Sequence, residues 1–168
     1  MIRVSLVSTA LSMLCLFCFA QTNVNLVIHH KMGGQDFAMN SPAKNNMDHD
    51  FEFTRLEYYI SGITIIHDNG TATPVPDTWI LVNAVSATEV ELGSFPVTEV
   101  EAIHFTIGVD PEHNHLDPAS FPSSHPLGPK SPSMHWGWTA GYRFLALEGN
   151  GGPQYNQLVQ LHGLGDQN

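Results

Sequence analysis

The chain has 168 residues, with 6 Lys and Arg against 16 Asp and Glu and a formal charge of −10. Nucleic acids and anionic membrane surfaces both select basic patches, so this balance argues against either as a partner. The length suits one domain with a real core. Ten histidines outnumber the six basic residues. Histidine is the commonest metal-ligand side chain, but composition alone leaves metal binding and an ordinary polar surface equally open.

In chain order, Met1-Ile2-Arg3 precedes an apolar run that ends at Ala20, and Gln21-Thr22-Asn23 follows at once. The run is too short for a stable membrane span and has the layout of a secretory signal peptide over residues 1–20, with an uncleaved anchor as the alternative. Cys15 and Cys18 are the only cysteines, and both lie in that segment. The mature domain, residues 21–168, is then expected in the periplasm or outside the cell. It has no disulfide and no second membrane span, and its metal chemistry must rest on histidine.

Residues 24–30 alternate, with Val24, Leu26, Ile28 and His30 on one face, and predict a strand ending at Gly33-Gly34. Residues 51–67 are rich in Phe, Tyr, Ile and Thr and predict a long strand with a bend or bulge at Ser61-Gly62. Asp68-Asn69-Gly70 is a turn, and residues 79–85 form a short strand. Residues 99–109 alternate again, with Ile103, Phe105, Ile107 and Val109 sharing a face. A loop over 110–132 carries Pro111, Pro118, Pro122, Pro126, Pro129 and Pro132; loops this long in a compact domain are functional or disordered. Strand character resumes over 136–148, broken at Gly141, and a last strand covers 155–161. No amphipathic helix is evident. The expected fold is all-β, a β-sandwich-like single domain with a long His/Pro-rich loop.

No phosphate loop, serine elbow or zincin motif occurs. The loop holds His113-Asn114-His115 and His125. On a strand an H-x-H pair would share a face; in a loop these side chains equally well bond their own backbone, and the group is a weaker candidate metal site. On extended backbone Met134, Trp136 and Trp138 would share a face, which taken alone reads as aromatic core packing. His30 and His162 each read alone as half-buried, satisfied histidines, although the first and last strands meet in some sandwiches. His29, His49, His67 and His104 read as ordinary.

Taken together, several of these pieces form an ordered series. It starts with Thr54-Arg55-Leu56-Glu57-Tyr58-Tyr59-Ile60-Ser61. Next come Phe105 to Asp110 with Asn114, Leu116-Asp117-Pro118, and Met134-x-Trp136-x-Trp138-x-x-Gly141-Tyr142-x-Phe144. Leu147-Glu148-Gly149 and His162-x-Leu164-Gly165 close it. The series resembles the MbnP family of periplasmic copper-binding proteins, relatives of MopE and CorA, from about His30 to the C-terminus. Family members usually continue with further strands, so against them this chain reads as C-terminally shortened.

The resemblance implies a β-rich fold and a mononuclear copper site made of two histidines and a tryptophan oxidised to kynurenine by a dihaem, MbnH-like peroxidase. Carried over residue by residue, it implies His30 and His162 as ligands and Trp136 as the modified residue, with Trp138 the alternative. Two imidazoles suit copper in either oxidation state. The implied function is copper handling or uptake without catalysis. The alternatives are a copper-dependent or dismutase-like metalloenzyme and a structural β-sandwich with incidental histidines. A dismutase-like site would need more strand histidines and, commonly, a disulfide.

Overall fold

The computed structural model describes residues 21–165; the expected signal peptide, residues 1–20, lies outside them. Strand β1 (Thr22–Ile28) is followed by the short strands β2 (Lys31–Met32), β3 (Gln35–Asp36) and β4 (Ala43–Lys44). Then come β5 (Asp50–His67), β6 (Thr71–Pro74), β7 (Ile80–Asn83), β8 (Thr88–Phe95) and β9 (Val100–Ile107). A one-turn helix α1 (Pro111–Asn114) and a 3-10 turn (Pro118–Ser120) interrupt the long loop before β10 (Arg143–Gly151) and β11 (Gln157–Leu164).

β5 organises the fold. Its 18 residues pair antiparallel with β4, β7 and β6 on one side and with β10 and β9 on the other. β11 adds to the free side of β10. Gly62, at φ +60°, lies within the register shift between Ser61 and Thr64. That left-handed conformation suits glycine, and the bulge lets the two halves of β5 serve different neighbours. β1 and β8 form a separate antiparallel pair.

The two faces of this sheet carry two cores. On one, Val24, Leu26, Ile28, Val90, Leu92 and Phe95 of the β1–β8 pair pack on Ile60, Ile63, Ile65 and Val82. This is the sandwich contact. On the other, Tyr59, Tyr142, Ala146, Val109, Met134 and Leu127 are buried together, with Trp79, Leu81, Phe121 and Phe144 against them. Here the proline-rich loop folds back as a third layer. Its backbone is held from inside the core: the Tyr59 hydroxyl donates to the Pro126 carbonyl (3.1 Å), and that of Tyr142 donates to the Leu127 carbonyl. Burial pushes the Tyr142 phenol up to about 12, so it remains a donor.

The all-β sandwich expectation matches this architecture. Some boundaries differ. β1 ends at Ile28, leaving His29 and His30 just beyond it, whereas the last strand runs on to Leu164 and includes His162. β8 escaped the sequence reading although Thr88–Phe95 alternates Val90 and Leu92 with Glu89 and Glu91, the ordinary mark of a half-buried strand; it pairs with β1. Residues 136–148 are not one strand. The chain first makes a tight hairpin over 134–143, in which Arg143 N–H donates to Met134 O (2.7 Å) and Trp136 N–H to Gly141 O (2.8 Å). Gly137 and Gly141 have φ of +97° and +70°, so the break expected at Gly141 is a turn and regular strand begins only at Arg143.

Candidate metal centre

The 134–143 hairpin is built around one buried side chain. Asn114 is fully buried, and its Oδ1 accepts the Tyr142 N–H at 2.9 Å. A Cβ at Gly141 would lie 2.5 Å from that oxygen, and one at Gly165 would lie 2.4 Å from Asn114 Nδ2. Asn114, Gly141-Tyr142 and Gly165 are distant in sequence, yet they form one packed junction. It joins the loop helix, the tryptophan hairpin and the end of β11.

The junction presents Trp136 and Trp138 outward. Met134 is buried, while Trp136 and Trp138 are 49% and 62% exposed. The core-packing reading of this stretch therefore holds for Met134 and fails for both indoles, because the hairpin breaks the alternation that would have put all three on one face.

Trp136 meets His162 edge to face, with ring centroids 5.2 Å apart. His162 sits on β11 opposite Ala146, and its Nε2 is 2.9 Å from Glu148 Oε1. The same carboxylate oxygen accepts from Arg55 Nη1 at 3.0 Å, and Arg55 Nε donates to Glu57 at 2.6 Å. Arg55 also reaches Met134 Sδ (3.2 Å) and the Ser133 carbonyl (3.4 Å), tying this network to the root of the hairpin. Burial alone would raise the Glu148 carboxyl, but the bonds from His162 and Arg55 outweigh it and hold it below its ordinary value. A carboxylate on one imidazole nitrogen fixes the ring and leaves Nδ1 as the nitrogen for a metal, the usual outer-sphere arrangement of a histidine ligand. The Arg143 guanidinium lies over the Trp136 ring, 4.7 Å from its centre.

His30 is elsewhere. Its Nε2 is 3.0 Å from the Tyr58 hydroxyl, and its ring also packs near Phe37. Burial, with a contribution from His29, holds its imidazole below the usual range. Tyr58 alternates with Glu57 and Tyr59 on β5 and packs with the β1–β8 core. Arg55, which binds Glu148, points to the opposite face. The structure thus brings Trp136 and His162 together and puts His30 on the other side of the sheet. Among the described residues no group of three His, Cys, Asp or Glu is disposed to hold an ion.

The loop histidines also have partners. His113 Nδ1 is 2.6 Å from Asp110 Oδ1, whose other oxygen accepts from Trp79 Nε1 at 2.7 Å. His125 Nδ1 accepts from Leu127 N–H at 3.1 Å, and the ring stacks on Phe121. His115 Nδ1 is 3.0 Å from the Trp138 carbonyl. Of these contacts only that of His125 is to the loop's own backbone; His113 takes the Asp110 carboxylate, and His115 ties the loop to the hairpin. His67 is likewise satisfied, between Asp68 and Thr73.

Sequence reasoning named Leu147-Glu148-Gly149 and Thr54-Arg55 only as motif pieces and assigned Glu148, Arg55 and Arg143 no role. The i, i+2 spacing of Arg55 and Glu57 on a strand puts both on one face, but the partner strand that supplies Glu148 is 93 residues away.

The sequence profile of MbnP matches residues 21–167. The chain belongs to the MbnP family. Among solved structures it is similar to MbnP from Methylosinus trichosporium, with a TM-score of 0.62 and 17% sequence identity. The match covers 84% of this chain and 62% of that one, so the chain spans under two thirds of that structure's length. At that identity the likeness speaks for the fold. No curated protein matches the chain. Among the described residues no helix is long and apolar enough to cross a membrane.

Proposed function

We propose that this MbnP-family chain is an extracytoplasmic copper-binding protein that handles or takes up copper without turning over a substrate. His162 is its central ligand and Trp136 the residue beside the metal. The observation that carries this reading is the Trp136–His162 pair, with His162 anchored by Glu148 through one nitrogen. The donor chemistry fits copper to this extent: an oriented imidazole with a second nitrogen to offer, next to an oxidisable ring, and no thiolate in residues 21–168. Copper would supply one-electron redox chemistry at the indole.

Conversion of Trp136 to kynurenine, with its extra nitrogen and oxygen donors, would add ligands where the protein has few. The half-exposed position of Trp136 supports access by a separate oxidising enzyme, a dihaem MbnH-like peroxidase in this proposal. Trp138, still more exposed, is the alternative target. His30 joins the same ion only if it leaves Tyr58 and the segment after β1 moves around the sheet.

Copper analysis of protein purified from its native host, together with cuprous and cupric titration, tests the proposal. Wild type is expected to carry copper stoichiometrically, and His162→Ala to lose about 10-fold or more in affinity, the scale on which even outer-sphere changes act. Unchanged affinity in His162→Ala would remove this residue as a ligand. His30→Ala decides whether the site has one histidine or two. Peptide mass spectrometry of the native protein addresses kynurenine: unmodified Trp136 and Trp138 in copper-replete cells would exclude it.

A further inference from the structure

Two tryptophans stand on the same hairpin in unlike electrostatic surroundings. Trp138 is 62% exposed and meets His135 edge on at 5.9 Å. Trp136 is 49% exposed and has the Arg143 guanidinium 4.7 Å from its ring centre. Arg143 is held there: it begins β10, its Nη1 donates to the Ser133 carbonyl at 2.8 Å, and its buried Nε–H has no acceptor among the described residues. Arg55 and Glu148 lie close enough to act on its charge, and His162 touches the same indole. Glu148 already accepts from Arg55 and His162, and among the described residues Arg143 has no ion pair of its own.

A cation over an indole is attracted to the ring while the ring is neutral. Removing an electron from that ring makes an indole radical cation, and the same guanidinium then repels it. The repulsion is strong where the pair is partly shielded from water.

We propose that Arg143 is a positioning and redox-tuning residue that protects Trp136 against one-electron oxidation. The inference rests on the reading of Trp136 as the residue beside the metal. In that setting Arg143 gives the protein control over when the indole is oxidised: stray oxidants spend themselves on Trp138, and Trp136 yields only to an oxidant of higher potential. The step is a plain electron transfer. Trp136 loses one electron to the oxidant, which is reduced by one, and no bond to the protein is made or broken in that step.

The test uses the full mature chain, free of copper and made in a host lacking any dihaem peroxidase. It is exposed to a photogenerated ruthenium(III) polypyridyl oxidant, and the oxidised fractions of Trp136 and Trp138 are read by peptide mass spectrometry. Trp138 is the internal reference for dose and exposure.

In wild type Trp138 is expected to be oxidised first. Arg143→Met is expected to raise the Trp136-to-Trp138 ratio by about threefold or more, and Arg143→Lys, which keeps the charge, to stay near wild type. Circular dichroism and thermal midpoints establish that each variant is folded, and Ser133→Ala, which keeps the carbonyl that Arg143 uses, controls for local disturbance. An unchanged ratio in Arg143→Met, or equal behaviour of the Lys and Met variants, would overturn the proposal. Because no copper is present, failure of the copper titration would leave this result standing, and the converse also holds.

Discussion

Replacing Gly141 by alanine tests the junction that shapes the candidate site. Gly141 has φ +70°, and a left-handed conformation costs an L-residue about 1–2 kcal/mol. The added Cβ would also lie 2.5 Å from Asn114 Oδ1 and 2.6 Å from the Asn114 backbone oxygen. Asn114 is fully buried and cannot swing aside without abandoning the Tyr142 N–H. Overpacking of this kind costs about 1–3 kcal/mol, and an orphaned buried N–H a further ~1–3 kcal/mol where the bond breaks.

Gly141→Ala should therefore destabilise the domain by roughly 2–5 kcal/mol, taking the strain and packing terms together. Urea unfolding followed by circular dichroism measures it, and tryptophan fluorescence reports on the hairpin. Asn114→Ala in the same background removes the side-chain clash but leaves the backbone oxygen and the φ penalty. The double variant should thus be more stable than the sum of the single losses predicts. A Gly141→Ala protein within about 0.5 kcal/mol of wild type, the range of inert surface changes, would refute the account of this junction.

Arg55→Met leaves Glu57 and Glu148 facing each other at a 9% exposed position. Losing one partner of a buried ionic network costs about 3–5 kcal/mol, measurable by the same unfolding assay. Tyr58→Phe removes the hydroxyl bonded to His30 and should cost about 1 kcal/mol, with copper affinity unchanged if His30 is not a ligand. His30, His125 and His135 are each held below the ordinary imidazole value, first by burial. The unfolded chain then binds more protons than the folded one as pH falls through 6.5, so stability must drop on acidification in that window. Thermal midpoints at pH 7.5 and pH 5.5 check the sign, and a higher midpoint at the lower pH would contradict it.

The local sequence determined the elements whose residues carry their own pattern. Alternation marked β1 and β9, the aromatic and β-branched run of 51–67 marked β5, and Asp68-Asn69-Gly70 marked the turn after it. These signals are period-2 alternation of residue type and turn chemistry, which need no distant partner; in β9 the alternation does not become burial, since only Ile103 is even half-buried. The ordered motif series also carried the family, because residues such as Gly108, Gly141 and Gly165 are fixed by close approach: a Cβ at Gly108 would meet the Phe144 ring at 2.4 Å.

Tertiary structure alone decided which of the candidate residues meet. Whether His30 and His162 share a metal depends on which face of β5 and β10 each one reaches, and strand order across a sheet is a nonlocal property. His162 faces Trp136 because β11 pairs with β10 and the hairpin folds over that edge, whereas His30 leaves β1 on the opposite face and meets Tyr58. The Glu148–Arg55 pairing has the same origin. Each partner lies on a strand that the sequence indicates, but their registry is fixed only when the β10–β5 ladder forms.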